Sequence, residues 1–497
     1  MFDKFEKIAE YIKKLNFSID KYTKDSIVQS LPSKAIVNRA KKHIEANEFK
    51  EAENVLNEAL ELPQEDALVF KYLGFCAERT GRFDDAMRAY KKSANINPQD
   101  KEIWMKLGFS QVQCQLFEDA EKAFENANKI NPSNTDVYAG WGMSLMKQKR
   151  FSEAHEKFVE AVRLNKYNFM AMLLAAIMEI RLERYEDAEL KLNFLSTVAP
   201  NETNTYEYAR LKYLKKDYVN AEYYAKKALE FNPVLLNAYL VLGKVYRKQL
   251  EIQKAEENYK LALTHHIDNP DLYYEWGQLA QYCENYELAK EKFEKVLEIS
   301  PDEGFAKAGL GLCYAALDSL EEAEPLINEE LEKVPDCYLA LKGRAMLLYK
   351  RKDFQGAVDG FKKILAEDEA DYACNYYIAK SFEALGNDIL TKEYYENAVK
   401  KFPMLIVAYV DYAKFLIGKK EYAEAQRKLR KALKFDDNNL EILNMLFYVS
   451  YILVKENLCE YNIREVVALA DKIKAINSEA FQYNQECAEL ENILNSL

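Results

Sequence analysis

Few residues of this chain have the type and spacing that metal binding or catalysis requires. His265 and His266 precede Asp268, and imidazole and carboxylate groups are common metal ligands. Neighbouring residues of a helix point about 100° apart, so the two adjacent rings diverge and no metal site is predicted. The sequence also has no G-x-x-x-x-G-K-[ST] phosphate loop, no G-x-S-x-G nucleophile elbow and no H-E-x-x-H zinc helix. We therefore expect no enzymatic activity, no metal and no cofactor.

Glycines and cysteines are the other residues with chemical potential. Gly309 and Gly311 form the nearest approach to a glycine-rich loop, but they fall inside a predicted helix, where glycine permits close packing. The eight cysteines include no C-x-x-C pair, and Cys76 and Cys313 recur at matching places of a repeat described below. This pattern predicts buried, reduced thiols and not a disulfide framework.

The composition excludes several classes of protein. The 497 residues include 69 Lys and Arg against 81 Asp and Glu, which gives a net charge of −12. A general polyanion binder is expected to be basic, so no nucleic-acid partner is expected. No run of about 18 apolar residues occurs, and the first 15 residues scatter charges where a secretory signal needs an apolar stretch. We expect a cytoplasmic protein without a membrane span.

Small residues recur at a fixed interval, and this interval predicts the elements that position every other residue. Gly74, Gly108 and Gly142 lie 34 residues apart, and Ala86 and Ala120 follow at the same interval. A period of about 20–50 residues is typical of a repeat solenoid, in which each unit buries its apolar face only against its neighbours. The small residues let two antiparallel helices of one unit approach closely.

Other positions of the unit are equally regular. A unit that begins at residue 67 has Phe70 at position 4, Gly74 at position 8, Ala86 at position 20, Tyr90 at position 24 and Pro98 at position 32. The next unit, from residue 101, repeats these residue classes. The pattern resembles the W-x₂-L-G-x₂-Y…A-x₃-F…P signature of the tetratricopeptide repeat. The resemblance implies an all-α, right-handed superhelical α-solenoid of tandem helix-turn-helix hairpins.

About thirteen units fit the sequence, and they define the expected domain organisation. The predicted unit starts are residues 33, 67, 101, 135, 169, 202, 236, 270, 304, 338, 372, 406 and 440. The array is expected over residues 33–477, with a longer last hairpin around 457–462 and a capping helix within 478–497. Pro325 lies inside a predicted second helix and should kink or shorten it.

Residues 1–32 are expected to form an amphipathic capping helix and a linker. Phe2, Phe5, Ile8, Ile12 and Leu15 fall on one helical face. A capping helix, a docking helix for a partner and a membrane-surface helix remain alternatives, and the acidic residues among the lysines weaken the last of them. Self-association of the chain into a homo-oligomer through this segment is a further hypothesis.

Two faces of the first helix of each unit differ in composition. In the tetratricopeptide-repeat family the face at positions 2, 5, 9 and 12 lines a concave groove where peptide or helical segments lie. Early in the array this face is apolar, at Met105, Phe109, Val112, Met143, Met146, Leu173, Ile177 and Ile180. A contiguous apolar groove is typical of a binding site, and methionine suits an adaptable one. The alternative is that these side chains pack against one another.

From residue 202 onward the same face becomes aromatic and basic. It carries Tyr206, Arg210, Tyr213, Lys244, Arg247, Tyr274, Lys342, Tyr349, Tyr376, Lys380 and Lys414. Basic groups on one face of an acidic protein would favour an acidic peptide, whereas an ordinary solvated polar face is the alternative. The family's clamp for chaperone tails requires Lys and Asn at positions 5 and 9. Here Lys71 is followed by Phe75, so that clamp is not expected.

The resemblance covers nearly the whole chain and implies a protein-protein interaction scaffold. Partner proteins would present peptide or helical segments to the groove, with apolar side chains setting affinity and rim charges setting the association rate. A substrate-recruiting or regulatory subunit of an enzyme complex is the alternative function, and a co-purifying enzymatic activity would distinguish it.

Overall fold

The computed structural model describes residues 32–62, 65–265, 268–369, 371–456 and 460–496. These residues contain 27 α-helices, and none of them lies in a β-strand. The number fits thirteen hairpins followed by one terminal helix. The all-α class and the tandem hairpins predicted from the 34-residue period are therefore confirmed. The chain divides into two compact units, one up to Val245 and one from Tyr246 onward.

The first unit begins with twelve helices of similar length. They are α1 (Pro32–Glu45), α2 (Phe49–Asn57), α3 (Ala67–Arg79), α4 (Phe83–Ile96), α5 (Ile103–Gln113), α6 (Phe117–Ile130), α7 (Thr135–Lys147), α8 (Phe151–Leu164), α9 (Phe169–Arg181), α10 (Tyr185–Val198), α11 (Glu202–Leu214) and α12 (Tyr218–Phe231). The next helix, α13 (Leu236–Lys248), contains the boundary between the units.

The second unit continues the alternation of first and second helices. Its helices are α14 (Ile252–Thr264), α15 (Pro270–Tyr282), α16 (Tyr286–Ile299), α17 (Gly304–Ala316), α18 (Leu320–Lys333), α19 (Tyr338–Lys350), α20 (Phe354–Glu367), α21 (Tyr372–Ala384), α22 (Asp388–Lys401), α23 (Ile406–Gly418), α24 (Tyr422–Ala432), α25 (Leu440–Glu456), α26 (Glu460–Ile476) and α27 (Asn484–Ser496). Two 3₁₀ turns, Glu58–Glu61 and Ser478–Ala480, complete the described elements.

In several hairpins an aromatic ring of the second helix lies over a glycine of the first helix. The ring of Phe124 on α6 lies directly over Gly108 on α5, so that a Cβ added to Gly108 would sit 2.8 Å from Cε1 of Phe124. Gly74 meets Tyr90 and Gly142 meets Phe158 in the same way. Phe124 is fully buried. The two repeat positions that define the sequence pattern therefore touch one another in the fold.

We expect Gly108→Ala to lower the free energy of unfolding by about 1 kcal/mol. Overpacking against Phe124 costs about 1–3 kcal/mol, and the higher helix propensity of alanine offsets about 1 kcal/mol of that. Gly418 at the end of α23 is the matched control, because nothing lies within 4 Å of its added Cβ. Urea unfolding followed by circular dichroism measures both variants. A Gly108→Ala protein as stable as Gly418→Ala would contradict the close contact.

The turn between the two helices of a hairpin has the same backbone form throughout the described residues. Twelve residues have positive φ, from Asn47 to Lys420, and only Gly81 and Gly386 among them are glycines. In the turn after α5 the N–H of Gln115 donates to the carbonyl of Val112 at 3.1 Å, and the next N–H donates to the carbonyl five residues back at 2.8 Å. This is a Schellman motif, which satisfies the last carbonyls of the helix.

Three sequence predictions near the end of the array require correction. Pro325 does not shorten its helix, since α18 is 14 residues long, as are α16 and α20. The second helix of the last hairpin begins at Glu460, not after residue 462, and residues 457–459 lie outside the described part. The terminal helix begins at Asn484, because a 3₁₀ turn occupies Ser478–Ala480.

The terminal helix α27 packs on the last hairpin. Cys487 and Leu490 join Phe447, Ile463 and Phe481 in one buried cluster. This arrangement covers apolar surface of the hairpin formed by α25 and α26. The predicted amphipathic stretch at residues 2–17 lies outside the described residues. Among the described helices, none is both long and apolar enough to cross a lipid bilayer.

Candidate functional site

The predicted apolar groove residues lie on α5, α7 and α9 of the first unit. Six of the eight are less than a tenth exposed, namely Met105, Val112, Met143, Met146, Leu173 and Ile180. Phe109 and Ile177 remain half-buried. Both occupy position 9 of their repeats, so the repeat places them at equivalent points of α5 and α9.

Contacts between successive first helices account for the buried members of this row. Met143 and Met146 of α7 pack in one cluster with Met178 of α9. Leu173 and Ile180 of α9 pack with helix α11 through Tyr208 and Leu211. The internal packing that the sequence left as an alternative is therefore what these six side chains do in this structure. Their contact with a partner stays a prediction.

Phe109 contacts both α6 and α7 and keeps part of its surface accessible. A Cβ added to Gly140 of α7 would lie 2.7 Å from Cζ of Phe109. Its ring meets the ring of Phe124 edge to face, with centroids 5.4 Å apart. Ile177 contacts the clusters on both sides of α9 and is also half-buried. These two residues are the accessible part of the predicted apolar zone.

The polar zone begins in the first unit with side chains that already have partners. Tyr206 is buried, and the guanidinium of Arg210 lies 2.9 Å from the carboxylate of Glu207. Burial would lower the pKa of Arg210, but the charge and hydrogen bond of Glu207, together with nearby tyrosines, outweigh it and raise the pKa. The ring centroid of Tyr213 lies 5.9 Å from that of Tyr218. The predicted site residues here are held by their own repeat.

In the second unit Lys342 is paired with a carboxylate from the following hairpin. Its ammonium lies 2.6 Å from Oδ2 of Asp371, and the hydroxyl of Tyr338 donates to the same oxygen. Asp371 also accepts the N–H of Cys374 at 2.9 Å and so caps α21. Burial would lower the pKa of Lys342, but the charge and hydrogen bond of Asp371, together with the neighbouring Cys374 and Tyr338, outweigh it and hold the pKa above its usual value.

The next repeat uses the same arrangement. The hydroxyl of Tyr376 and the ammonium of Lys380 both donate to Oδ2 of Asp411 at 2.7 Å. The ammonium of Lys414 lies 2.7 Å from Glu441 of α25, the first helix of the following hairpin. Three of the four lysines predicted to attract an acidic peptide, Lys342, Lys380 and Lys414, are thus paired with carboxylates of the chain itself.

These carboxylate partners were not predicted from the sequence, although the sequence contains a signal for Asp371. Asp371 stands at position 34 of its repeat and Lys342 at position 5, which are 29 residues apart. Lys71 and Asp100 have the same positions and lie 3.0 Å apart. Lysine at position 5 with aspartate at position 34 therefore indicates an ion pair between consecutive hairpins.

The remaining members of the polar zone are less uniform. The hydroxyl of Tyr274 accepts a hydrogen bond from the amide of Gln278 at 2.9 Å, and burial raises the pKa of Tyr274 to about 12. The guanidinium of Arg247 lies 3.5 Å from the amide oxygen of Gln278. The half-buried ring of Tyr349 meets Phe354 edge to face, with centroids 5.8 Å apart.

A turn of the second unit lies close enough to Lys342 and Lys380 of later repeats for their charges to act on it. We call residues 282–286, between α15 and α16, the inserted turn. The ring of Tyr282 lies 5.1 Å from that of Tyr372 and 4.9 Å from that of Phe402. Glu284 is half-buried, and its Oε1 has no hydrogen-bond partner. Burial raises the pKa of Glu284 to about 7.

Metal-ligating side chains do not gather in the described part of the chain. No group of three or more His, Cys, Asp or Glu residues there could hold a metal ion. His265 lies at the end of α14, and His266 lies outside the described residues. The seven described cysteines are all free thiols, and Cys76 and Cys313 are fully buried.

Comparisons with known proteins identify the repeat. Models of the tetratricopeptide repeat match residues 77–140 and residues 37–101, 140–193, 274–336 and 320–372, together slightly more than half of the chain. The Protein CTR9 homolog of Arabidopsis thaliana is 27% identical over 184 residues, which are 35% of this chain and 17% of that relative. The chain thus spans less than a fifth of the relative's length.

A solved structure of similar length shows the same fold. A chain of the crystal structure of the APC/C hetero-tetramer Cut9–Hcn1 aligns with a TM-score of 0.51 and 12% identity, covering 92% of this chain and 96% of that one. A tetratricopeptide repeat protein from Parabacteroides merdae aligns with a TM-score of 0.44 and 16% identity over 50% of this chain and 98% of its own.

Proposed function

Because the chain belongs to the tetratricopeptide-repeat family, we propose that it is a protein-interaction scaffold that captures segments of partner proteins along its first helices. Tandem tetratricopeptide repeats support the scaffold role in general. The more specific part of the proposal is the location of the contact and the kind of partner segment that binds there. We place the contact on α5 and α9 of the first unit.

The half-buried side chains of Phe109 and Ile177 carry this proposal. Each stands at position 9 of a first helix, within a row whose other apolar members are buried. The buried members hold the backbone in place, and the two half-buried ones keep apolar surface for a partner. Aromatic and aliphatic anchors on a rigid support are the usual source of affinity in protein interfaces.

The polar zone favours a different role. Lys342 and Lys380 already pair with Asp371 and Asp411, so these two lysines contribute little net positive charge toward an acidic peptide. An apolar face of a partner helix suits the first unit better than an acidic tail suits the paired lysines. We therefore propose a helical or extended segment with apolar anchors as the partner element.

The proposal predicts that Phe109→Glu combined with Ile177→Glu lowers retention of a stoichiometric partner about fivefold. The measurement is affinity purification from the native host with quantitative mass spectrometry. Met105 is unsuitable for such a test, because it is 2% exposed and a buried carboxylate there would disturb the fold. Circular dichroism and thermal unfolding confirm that the double variant is folded.

Leu190→Glu is the matched control, since Leu190 is 73% exposed on α10, a second helix outside the predicted groove face. A partner lost from the double variant and kept by Leu190→Glu supports the proposal. A partner kept by both variants refutes binding at α5 and α9. An enzyme among the lost partners would favour the substrate-recruiting role.

A further inference from the structure

A cavity of about 310 Å³ lies in the second unit, where the ends of α13, α15 and α22 meet the beginnings of α19 and α21. Its charged lining residues are Arg247, Lys248, Lys342, Lys401, Asp368 and Asp371. Four cations against two carboxylates leave a net charge of +2. Such a concentration of positive charge is unusual in a chain whose net charge is −12.

Within the described residues, only one of the four cations of this cavity forms an ion pair with a carboxylate. Lys342 is paired with Asp371, whereas Arg247, Lys248 and Lys401 form no ion pair with any described residue. Arg247 contacts the amide oxygen of Gln278 at 3.5 Å, which leaves most of its five donors for another acceptor. Three cations are thus available to an anion.

The cavity also contains a buried donor without an acceptor. Tyr372 is 3% exposed, and its hydroxyl has no hydrogen-bond partner in the described structure. Leaving a buried hydroxyl unsatisfied is unfavourable, and native proteins seldom do so without a reason. An anionic oxygen in the cavity would accept this hydrogen bond.

Aromatic rings line the same space. Tyr282, Tyr286, Tyr338 and Tyr372 all contribute to the walls. Such rings stack on a planar group or meet it edge to face. The volume lies at the lower end of the range of about 300–1,000 Å³ that is usual for small-ligand pockets. A ligand that combines an anion with one ring system matches these features.

We propose that this cavity binds a phosphomonoester attached to an aromatic or heterocyclic group. A phosphate monoester carries close to two negative charges at neutral pH, which matches the net charge of +2 better than a single carboxylate does. The fork of Arg247 suits a phosphate geometrically. The ester has two sources, a free nucleoside monophosphate or a phosphotyrosine side chain of another protein. This site is separate from the contact proposed on α5 and α9, so the two proposals fail independently.

Isothermal titration of the full chain tests the ligand class. The probes are AMP and O-phosphotyrosine, with adenosine, tyrosine and inorganic phosphate as the matched compounds that lack one half of the ligand. We expect one ester to bind at one site, at least tenfold more tightly than its unphosphorylated form and than inorganic phosphate. The ester that binds identifies the source. Absence of binding by both esters, or equal binding of inorganic phosphate, overturns the proposal.

Two variants locate the bound ester. Arg247→Gln should lower the affinity for the ester at least fivefold. Arg344→Gln, at an exposed arginine of α19 outside the cavity, should leave the affinity unchanged. Tyr372→Phe should raise the thermal unfolding midpoint of the free protein, because it removes the unsatisfied hydroxyl. It should also lower the affinity for the ester about threefold. A merely structural role of Tyr372 would leave the affinity unchanged. Ester binding that survives both cavity variants lies elsewhere and refutes the site.

Discussion

Asp371→Ala is expected to lower the free energy of unfolding of the second unit by about 3–5 kcal/mol. The carboxylate is 8% exposed and accepts hydrogen bonds from Lys342 at 2.6 Å and from the N–H of Cys374 at 2.9 Å, as well as from the hydroxyl of Tyr338. Its removal leaves an ammonium and a hydroxyl without their acceptor. The first turn of α21 also loses its cap, which by itself costs about 1 kcal/mol.

Urea unfolding followed by circular dichroism measures this loss, with Asp336→Ala as the control. Asp336 is an exposed carboxylate just before α19. The double variant Lys342→Met with Asp371→Ala should recover more than half of the loss, because replacing a buried pair by apolar groups is often nearly neutral. A loss below about 1 kcal/mol in Asp371→Ala would contradict the assigned role of the pair.

The same pair predicts an acid limb of the stability profile. Burial would raise the pKa of Asp371, but the charge and hydrogen bond of Lys342 outweigh it and hold the pKa below its usual value. Stability from this carboxylate is therefore fully present above the unfolded pKa of about 3.9 and is lost as pH falls through the folded pKa. The profile of Asp371→Ala should lack this acid limb.

Most of the fold was predictable because the repeat positions that vary least are the ones that touch. Gly108 and Phe124 stand 16 residues apart in the sequence and meet at 2.8 Å once a Cβ is added to the glycine. The predicted unit starts at 67, 135 and 169 coincide with the first residues of α3, α7 and α9. A contact that recurs in several units leaves its period in the sequence.

The conformation of the turn was not predictable from residue type. Lys149, Glu183 and Leu250 adopt the positive φ that glycine takes at Gly81 and Gly386. Hydrogen bonds to the preceding helix and the fixed hairpin geometry impose this conformation, and they override the preference of the side chain. Only the regular position of the turn in the 34-residue unit is encoded.

For the candidate site, the sequence predicts which helix face carries it but not which side chains of that face are exposed. Periodicity separates the face that carries Met105 and Phe109 from the opposite one, but exposure of that face depends on how closely successive first helices pack. Met105 is buried and Phe109 is half-buried, although both belong to the same face. The pairing of Lys342 with Asp371 could have been anticipated from Lys71 and Asp100, which occupy the same two repeat positions.

Glu284→Gln is expected to stabilise the second unit at pH 8 by about 1–2 kcal/mol and to leave it nearly unchanged at pH 4. Glu284 lies on the inserted turn, half-buried, and its Oε1 has no hydrogen-bond partner. Burial raises its pKa from 4.5 to about 7. A shift of that size corresponds to about 3 kcal/mol at most, and partial exposure of the side chain reduces it.

Burial prevails because the neighbouring charges nearly cancel. Lys342 and Lys380 lower the pKa of Glu284, whereas Asp371 and Asp411 raise it. Each of these lysines forms an ion pair with one of these aspartates, so each pair presents little net charge to the turn. The other ionisable groups that act on Glu284 or are acted on by it are the hydroxyls of Tyr286, Tyr372, Tyr376 and Tyr377. They are neutral in the relevant pH range.

The sign of the pH dependence follows from proton binding. Between pH 4.5 and about 7 the folded protein keeps the proton of Glu284 and the unfolded chain has lost it, so stability falls as pH rises through this window. Above that window both states are ionised and the penalty is constant. Glutamine is neutral at every pH, so the variant should lack this decline.

Urea unfolding of the wild-type chain and of Glu284→Gln between pH 4 and pH 8 measures the effect. Glu287→Gln is the matched control, since Glu287 is an exposed carboxylate in the first turn of α16. Its profile should run parallel to that of the wild type. Parallel profiles for the wild type and Glu284→Gln as well would show that Glu284 ionises normally and that solvent reaches the inserted turn. Profiles that diverge only above pH 4.5 would show that burial keeps the carboxyl group of Glu284 neutral at a pH where an exposed glutamate is ionised.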